Sequence, residues 1–222
     1  MQSPEKQLKL RQAEILNILK KEYAGTKSGL EFKDAYTLLI ATILSAQCTD
    51  VRVNQITKVL FLKHDTPEKM VLLSQKELEE IIKSCGFYTV KAKNILETSN
   101  IILKNYGGKV PDSMEELTKL PGVGRKTANV VLSNAFLKPA IAVDTHVFRV
   151  SNRLGLAHAK NEYDTEMQLM EAIPKEDWSD AHHWLIWHGR KVCSSRSPKC
   201  NICPLFKVCE YFQLNNSKIN DR

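Results

Sequence analysis

The sequence has no long apolar run. Its first sixteen residues, MQSPEKQLKLRQAEIL, are polar and charged, so they lack the apolar stretch of a secretory signal peptide. Low-complexity segments and internal repeats are absent, and no run alternates apolar and polar residues as a half-exposed strand does. These absences argue against membrane-spanning, repeat and β-rich proteins, and they predict an intracellular, cytoplasmic protein.

The cysteines are not scattered as a disulfide framework would require. Cys48 and Cys85 stand alone, whereas the other four of the six crowd into the 17 residues from Cys193 to Cys209. In an intracellular protein, such a cluster indicates a metal site. We interpret Cys48 and Cys85 as small core residues.

Acidic residues are missing from the segment between Ala181 and Cys209, where five lysines and arginines occur. The whole chain of 222 residues carries a formal charge of +7, and its hydrophobic share of 43% is ordinary for a globular protein. A basic balance fits a polyanionic partner, although many soluble proteins are mildly basic without one.

Apolar residues recur at helical spacing along most of the chain, and N-cap residues, first-turn prolines and capping boxes precede these segments. The pattern predicts an all-α fold. Lys138-Pro139 is the best local candidate for a domain boundary, because proline ends the preceding helix. The predicted helices span 4–23, 34–47, 50–62, 67–72, 75–84, 88–106, 113–119, 125–136, 145–154, 162–172 and 177–191.

A glycine-rich turn, Pro121-Gly122-Val123-Gly124, joins two predicted helices within LPGVGRKTANVV at 120–131. Its backbone N–H groups, with those of the following helix, would form an anion site suited to a DNA phosphate. A bare turn of this kind is most often only a tight helix connection. The longer string, between a capped and an amphipathic helix, is more specific.

Lys126 and Asp144 are the candidate catalytic pair. An attacking lysine must be neutral, and both burial and the positive end of a helix favour the neutral amine. Asp144 precedes a predicted helix, where aspartate is an ordinary N-cap. An ionised carboxylate there could also stabilise the positive charge that develops during glycoside cleavage.

The four clustered cysteines have the spacing C-x6-C-x2-C-x5-C. Four thiolates can hold zinc or a 4Fe–4S cluster, and the spacing alone does not decide between them. The short loop from Cys193 to Cys200 contains Arg196 and Lys199, which it could present to a phosphate backbone.

Several segments in order resemble the helix-hairpin-helix glycosylase superfamily, and within it the bacterial endonuclease III family. They are LSAQCTDVRVN at 44–54, GFYTVKAKNI at 86–95, LPGVGRKTANVV at 120–131, VDTHVFRVSNRLGL at 143–156, WLIWHGRKVC at 184–193 and the cysteine tail. The resemblance extends from about residue 8 to 212. It implies a two-domain helical fold with a DNA-binding cleft between the domains. One is a six-helix barrel domain with the helix-hairpin-helix, at 28–137. The other is a discontinuous iron–sulfur cluster domain, at 1–27 and 138–222.

The resemblance also implies the activity. Lys126 matches the lysine that displaces a damaged base and forms a Schiff base with the sugar, and Asp144 matches its partner aspartate. The expected enzyme is a bifunctional base-excision-repair DNA glycosylase that removes oxidised pyrimidines and has AP lyase (β-elimination) activity. Monofunctional adenine glycosylases lack this lysine and have an additional C-terminal domain, so the lysine and the end at Arg222 favour the bifunctional branch.

The same resemblance implies the other site residues. Cys193, Cys200, Cys203 and Cys209 would bind a 4Fe–4S cluster. Gln47 and Phe87 match the duplex-probing positions, although leucine is commoner than phenylalanine at the second. Double-stranded DNA with damaged pyrimidines or abasic sites is the expected partner of a monomer in the bacterial cytoplasm and nucleoid, with no membrane contact. Further DNA-binding candidates are Gly122, Val123, Gly124, Arg125, Thr145, His146, Lys191, Arg196 and Lys199, with Ser45 and Asp50 in the base pocket.

Three alternatives stay open at this point. A pyrimidine-dimer glycosylase/lyase of the same superfamily would use the same lysine and aspartate. A non-catalytic helix-hairpin-helix DNA-binding protein explains the hairpin and the basic charge but not Lys126 with Asp144. An iron–sulfur electron carrier explains the cysteines and nothing between residues 30 and 150.

Overall fold

The chain is helical throughout the part that the structure describes. A computed structural model describes residues 3–220, and side chains are discussed for residues 3–215. Within those residues there are twelve α-helices, two single-turn 3-10 helices at 175–177 and 200–202, and no strand, which confirms the predicted all-α class. The helices are α1 (Pro4–Tyr23), α2 (Ala35–Ser45), α3 (Asp50–Leu60), α4 (Pro67–Met70), α5 (Gln75–Ile82), α6 (Tyr88–Tyr106), α7 (Met114–Leu117), α8 (Arg125–Asn134), α9 (Thr145–Leu154), α10 (Glu162–Ala172), α11 (Trp178–Lys191) and α12 (Glu210–Asn220).

Backbone contacts divide the chain into two compact units. Residues 28–138 form one, which we call the hairpin unit because it contains the glycine-rich turn. Residues 1–27 and 139–222 form the other, which we call the cysteine unit. Residues 1, 2, 221 and 222, which the predicted cluster domain includes, lie outside the described residues.

Several helices begin at the N-cap residues that the sequence predicts. The side chains of Ser3, Thr66 and Ser113 each accept a hydrogen bond from the backbone N–H three residues on. Ser74 and Glu77 form a reciprocal capping box at α5. Each cap satisfies one of the N–H groups that a helix start leaves without a partner. These helix starts could therefore be predicted from a few neighbouring residues.

The core of the hairpin unit is built around α2. Its nine central residues, 36–44, are all buried, because apolar side chains surround this helix on every face. α2 packs against α3, α6 and α8. The long helix α6 also contacts α4 and α5, so it supports most of the unit.

The core of the cysteine unit lies among α1, α9 and α11. Ile15 and Leu19 of α1, Val147 of α9 and Leu185 of α11 are fully buried in one apolar cluster. The segment 140–143, which is too short for a strand, is a buried extended connection that leads into α9. It fixes the chain immediately before Asp144.

The predicted helix ends were wrong at several places. α2 ends at Ser45 rather than 47, because the backbone turns left-handed at Gln47 (φ 53°). α8 ends at Asn134 rather than 136, and the helix predicted from residue 177 starts as a 3-10 turn. Helix α12 was not predicted, since its asparagines and aromatic residues are weak helix formers. Phe212 of this helix packs against the core of the cysteine unit.

Within residues 3–220, no helix is both long and apolar enough to cross a membrane.

Candidate active site and nucleic-acid interface

The glycine-rich turn is held in place by α6. Gly122 has φ 76°, and a Cβ there would lie 2.9 Å from Nδ2 of Asn94. The Thr98 hydroxyl donates a hydrogen bond of 2.9 Å to the Pro121 carbonyl, and the Val123 side chain is buried. Glycine is therefore required at position 122 both by its backbone angle and by the close approach of α6.

The N-terminus of α8 continues directly from this turn. Its N-cap is Gly124, which supplies no side-chain cap, and its first turn contains no acidic residue. Gly124, Arg125 and Lys126 are exposed. N–H groups at a helix start, without an internal carboxylate, form a site that attracts an anion such as phosphate.

Lys126 lies in the first turn of α8, as predicted, and its side chain is exposed. The expectation that burial desolvates this amine is therefore not met by the chain itself. An exposed position also leaves Lys126 accessible to a sugar.

Asp144 is the N-cap of α9 and is half-buried. Its Oδ1 accepts hydrogen bonds of 2.8 Å from the backbone N–H groups of His146 and Val147. Oδ2 accepts no hydrogen bond from residues in the described ranges. The carboxylate is thus fixed by the helix and retains one oxygen for a ligand.

Thr145 and His146 occupy the first turn of α9, with Thr145 exposed. His146 accepts a hydrogen bond of 3.1 Å at Nδ1 from Arg149. Burial lowers the pKa of His146, and the carboxylate of Asp144 acts in the opposite direction. His146 is consequently a neutral imidazole near pH 7 that is tied to its own helix.

Gln47 and Phe87 lie on two turns of the hairpin unit, and both side chains are exposed, Phe87 by 64%. Each has a left-handed backbone, with φ 53° and 58°, although neither is glycine. The turns meet: the Sγ atoms of Cys48 and Cys85 are 3.6 Å apart, and a Cβ on Gly86 would lie 3.8 Å from the Gln47 carbonyl oxygen. The structure therefore brings the two predicted probing residues onto one surface.

Ser45 and Asp50 lie on either side of the Gln47 turn, at the end of α2 and the start of α3. Both are half-buried. The Ser45 hydroxyl donates to the Thr42 carbonyl, and the Asp50 carboxylate lies against the backbone of Gly29. Their position beside the turn is compatible with a base pocket.

The four clustered cysteines surround one pocket of the cysteine unit, which apolar side chains also line. Burial raises the pKa of the Cys203 thiol to about 11 and also raises the pKa of Cys209, and the neighbouring thiols add to both effects. Such thiols bind as thiolates only when a cation displaces the proton. The donor set fits a group that takes four thiolates.

Within the described residues, no three or more histidine, cysteine, aspartate or glutamate side chains are arranged to hold one metal ion. The expectation of a 4Fe–4S cluster at these cysteines therefore rests on the family resemblance and on the chemistry of four thiolates.

Two arginines of α9 hold the start of the loop between Cys193 and Cys200, which we call the cysteine loop. Arg153 donates hydrogen bonds to Cys193 Sγ (3.4 Å) and to the carbonyls of Ser194 (2.7 Å) and Ser195 (2.8 Å). Arg149 donates to the Cys193 carbonyl at 3.0 Å. The helix that Asp144 caps is therefore bonded to the first cysteine of the cluster.

The predicted phosphate-binding cations Lys191, Arg196 and Lys199 are all exposed. Lys191 ends α11, where its ammonium lies 5.1 Å from the centre of the Trp187 ring. Arg196 and Lys199 belong to the loop between Cys193 and Cys200, whose ends are joined by the hydrogen bond from Lys199 N–H to the Val192 carbonyl (2.9 Å). A short loop tied in this way loses little entropy on binding.

Comparison with known proteins identifies the family. The family model described as HhH-GPD superfamily base excision DNA repair protein matches residues 40–175. Endonuclease III of Rickettsia prowazekii (strain Madrid E) is 48% identical over 205 residues, covering 90% of this chain and 97% of that protein. Endonuclease III of Bacillus subtilis (strain 168) is also 48% identical, over 214 residues, covering 92% and 98%. The chain belongs to the endonuclease III family of the HhH-GPD superfamily.

The solved structures extend the comparison to the fold. A trapped endonuclease III–DNA covalent intermediate is similar, with a TM-score of 0.89 and 44% identity, covering 97% of this chain and all of that chain. A thermostable thymine-DNA glycosylase has a TM-score of 0.84 at 25% identity, covering 92% and 97%. The two-domain helical architecture of this endonuclease III family member is therefore established.

Three positioning residues of this endonuclease III family member were not predicted: Lys91 in the hairpin unit, and Arg149 and Arg153 in the cysteine unit. Arg149 and Arg153 are four residues apart on α9, which puts them on one face of the helix. Lys91 shares the spacing of the buried residues Ile95, Thr98 and Ile102. A lysine on the apolar stripe of a helix is the signal that could have identified it.

Proposed function

We propose that this endonuclease III family member is a bifunctional DNA glycosylase and AP lyase that removes oxidised pyrimidines in base excision repair. The observation that carries the proposal is the exposed amine of Lys126 in the first turn of α8, immediately behind the anion-binding turn. Family membership and the likeness to an endonuclease III–DNA covalent intermediate support it.

Lys126 would act as the nucleophile. Its neutral amine attacks C1′ of the damaged nucleotide, so that an N–C1′ bond forms while the glycosidic bond breaks and the base leaves with the bonding electrons and a proton. The sugar ring then opens to a protonated Schiff base. Loss of a C2′ proton expels the 3′ phosphate by β-elimination, which nicks the strand.

Asp144 would serve the same reaction as an ionised carboxylate. The two N–H groups on Oδ1 orient the carboxylate, and Oδ2 remains available to a ligand. A carboxylate beside C1′ stabilises the cation-like sugar of the transition state and can accept a proton from the attacking amine.

Access to C1′ requires that the damaged nucleotide leave the base stack, which costs a few kcal/mol. The exposed Gln47 and Phe87 side chains would fill the space that the nucleotide leaves. Ser45 and Asp50 would line the pocket for the extruded base. Phosphates on either side would be bound by Gly122, Val123, Gly124, Arg125, Thr145, His146, Lys191, Arg196 and Lys199.

Cys193, Cys200, Cys203 and Cys209 would hold a 4Fe–4S cluster. When bound, such a cluster supplies a four-point cross-link and, in other proteins, electron transfer. Apolar and aromatic side chains line the pocket of the thiols, and the loop from Cys193 to Cys200 carries the exposed Arg196 and Lys199, which favours a structural and DNA-docking role for the loop. The partner is double-stranded DNA with a damaged pyrimidine or an abasic site, bound by a monomer.

Borohydride trapping on abasic-site DNA tests the activity. The wild-type protein should give a covalent complex, because borohydride reduces the Schiff base to a stable amine. Lys126→Gln should give none, whereas Lys104→Gln, which removes an exposed lysine from the end of α6, should trap as the wild type does. Absence of a complex with wild-type protein would exclude the lyase.

Two further measurements address the cofactor and the substrate. Iron analysis, with the broad visible absorption of an iron–sulfur cluster, separates the cluster from zinc. Single-turnover excision on a panel of oxidised pyrimidines and a pyrimidine dimer separates the proposed activity from that of a dimer glycosylase.

A further inference from the structure

Lys91 is a buried cation beside the two probing turns. Lys91 is 5% exposed, and within the described residues its ammonium is bonded to backbone carbonyls rather than to a carboxylate. An ammonium ion in such a position costs several kcal/mol unless hydrogen bonds replace its water. Its surroundings must therefore supply strong acceptors.

Those acceptors are the last carbonyls of α2. Lys91 Nζ donates hydrogen bonds to the carbonyl oxygens of Leu44 (2.8 Å) and Ala46 (2.7 Å). The C-terminus of a helix carries a partial negative charge, and the last turn of α2 has no basic residue of its own. Lys91 thus supplies the positive charge and the hydrogen-bond donors that cap the C-terminus of α2. The second carbonyl, that of Ala46, is one residue before Gln47.

The same residue is bonded to the other turn. Its backbone N–H donates a hydrogen bond of 3.0 Å to the carbonyl of Phe87. Phe87 precedes α6 in a left-handed conformation and offers no side-chain cap. One residue therefore contacts both turns, through its side chain on one and its backbone on the other.

The backbone is strained in both turns, so contacts with other residues must stabilise these conformations. A left-handed conformation costs a residue other than glycine about 1–2 kcal/mol, and Gln47 and Phe87 both adopt it. Such strain persists only where the surroundings fix it, and it is concentrated at functional sites. Because Phe87 is 64% exposed, its side chain contributes little to the core of the hairpin unit.

We propose that Lys91 is a positioning residue which holds the turns of Gln47 and Phe87 together, so that both side chains enter a DNA duplex as one preformed wedge. The inference rests on the proposed function. It predicts that loss of the ammonium impairs the opening of a duplex and spares the chemistry at the sugar.

Three variants test the proposal. Lys91→Met removes the ammonium and keeps the apolar length of the side chain. Lys91→Arg keeps a cation with several donors. Lys93→Met is the matched control, since Lys93 is two residues away on α6, exposed, and paired only loosely with Glu97 (3.9 Å). Lys91→Gln, whose amide can donate to one carbonyl, replaces Lys91→Met if that variant does not fold.

Each variant is measured in two reactions and one binding assay. Base excision from a duplex with an oxidised pyrimidine requires extrusion, whereas borohydride trapping on single-stranded abasic DNA does not. The fluorescence of 2-aminopurine next to the lesion reports unstacking directly. Lys91→Met should slow duplex excision and the fluorescence rise about tenfold, which corresponds to about 1.4 kcal/mol. Its single-strand trapping should stay within about twofold.

The outcomes separate this inference from the proposed function. Recovery of duplex excision in Lys91→Arg and wild-type rates in Lys93→Met support the positioning role. Equal losses in both reactions, or an unchanged duplex rate, would overturn it. A wild-type protein that traps abasic DNA neither as a duplex nor as a single strand would instead overturn the proposed function.

Discussion

At the scale of single residues, the proposed chemistry depends on side chains with simple local environments. Lys126 is an exposed amine at a helix start, and Asp144 is a helix cap. Neither arrangement is unusual by itself. Asp144 combines two roles, because the hydrogen bonds that cap α9 also orient the carboxylate.

Substitution of Asp144 by asparagine separates these two roles. Asparagine caps a helix about as well as aspartate, so Asp144→Asn should fold and bind lesion DNA like the wild type. Base excision should fall about a hundredfold or more, since the charge that stabilises the transition state is lost. Asp34→Asn is the control, because Asp34 caps α2 in the same way. Single-turnover rates that are equal in Asp144→Asn and wild type would remove Asp144 from the mechanism.

Chemical modification of Cys85 tests how well the turns that carry Gln47 and Phe87 are packed against each other. Burial, together with Cys48, raises the pKa of the Cys85 thiol to about 11. At pH 8 only about a thousandth of this thiol is thiolate, so alkylation of native protein should be slow and should accelerate as the pH rises towards 11. Mass spectrometry of iodoacetamide-treated protein measures the alkylation rate of Cys85 separately from those of the other cysteines. Protein unfolded in guanidinium is the control, and equal labelling rates in the two states would show that the thiol is not protected.

At the scale of helices and turns, the glycine-rich turn depends on its packing against α6. Gly122→Ala should destabilise the protein by more than the 1–2 kcal/mol or so of a left-handed alanine, because the new Cβ would also meet Asn94 at 2.9 Å. Gly107→Ala is the matched control, since Gly107 has φ 57° with open space around it. Denaturant unfolding of both variants measures the difference. Equal losses would show that Asn94 yields freely.

The sequence predicts the helices and the turn well, because caps, first-turn prolines and glycine act over a few residues. Family resemblance supplied the roles of Lys126 and the cysteines. Neither source indicated that α2 would end at Ser45 or that Lys91 would complete it. That end depends on a lysine 46 residues after Ser45, and a contact between helices distant in sequence has no local signal.

At the scale of the whole molecule, the proposed catalytic groups belong to different compact units. Lys126 lies in the hairpin unit and Asp144 in the cysteine unit. Exposed cations are likewise present in both units, at Arg125 and Lys126 at the start of α8 and at Arg196 and Lys199 on the cysteine loop.

The cysteine loop makes a separable contribution to DNA affinity if its cations contact phosphates. Each phosphate contact releases counterions, so replacing Arg196 and Lys199 by glutamine should reduce the slope of log K against log salt by up to about two units. Cleavage at saturating DNA should change little, because neither residue acts on the sugar. Lys6→Gln with Lys21→Gln removes the same charge from exposed positions on α1. An identical slope in the two double variants would mean that net charge, rather than the loop, sets the salt dependence; a lower slope only in the loop variant assigns those contacts to Arg196 and Lys199.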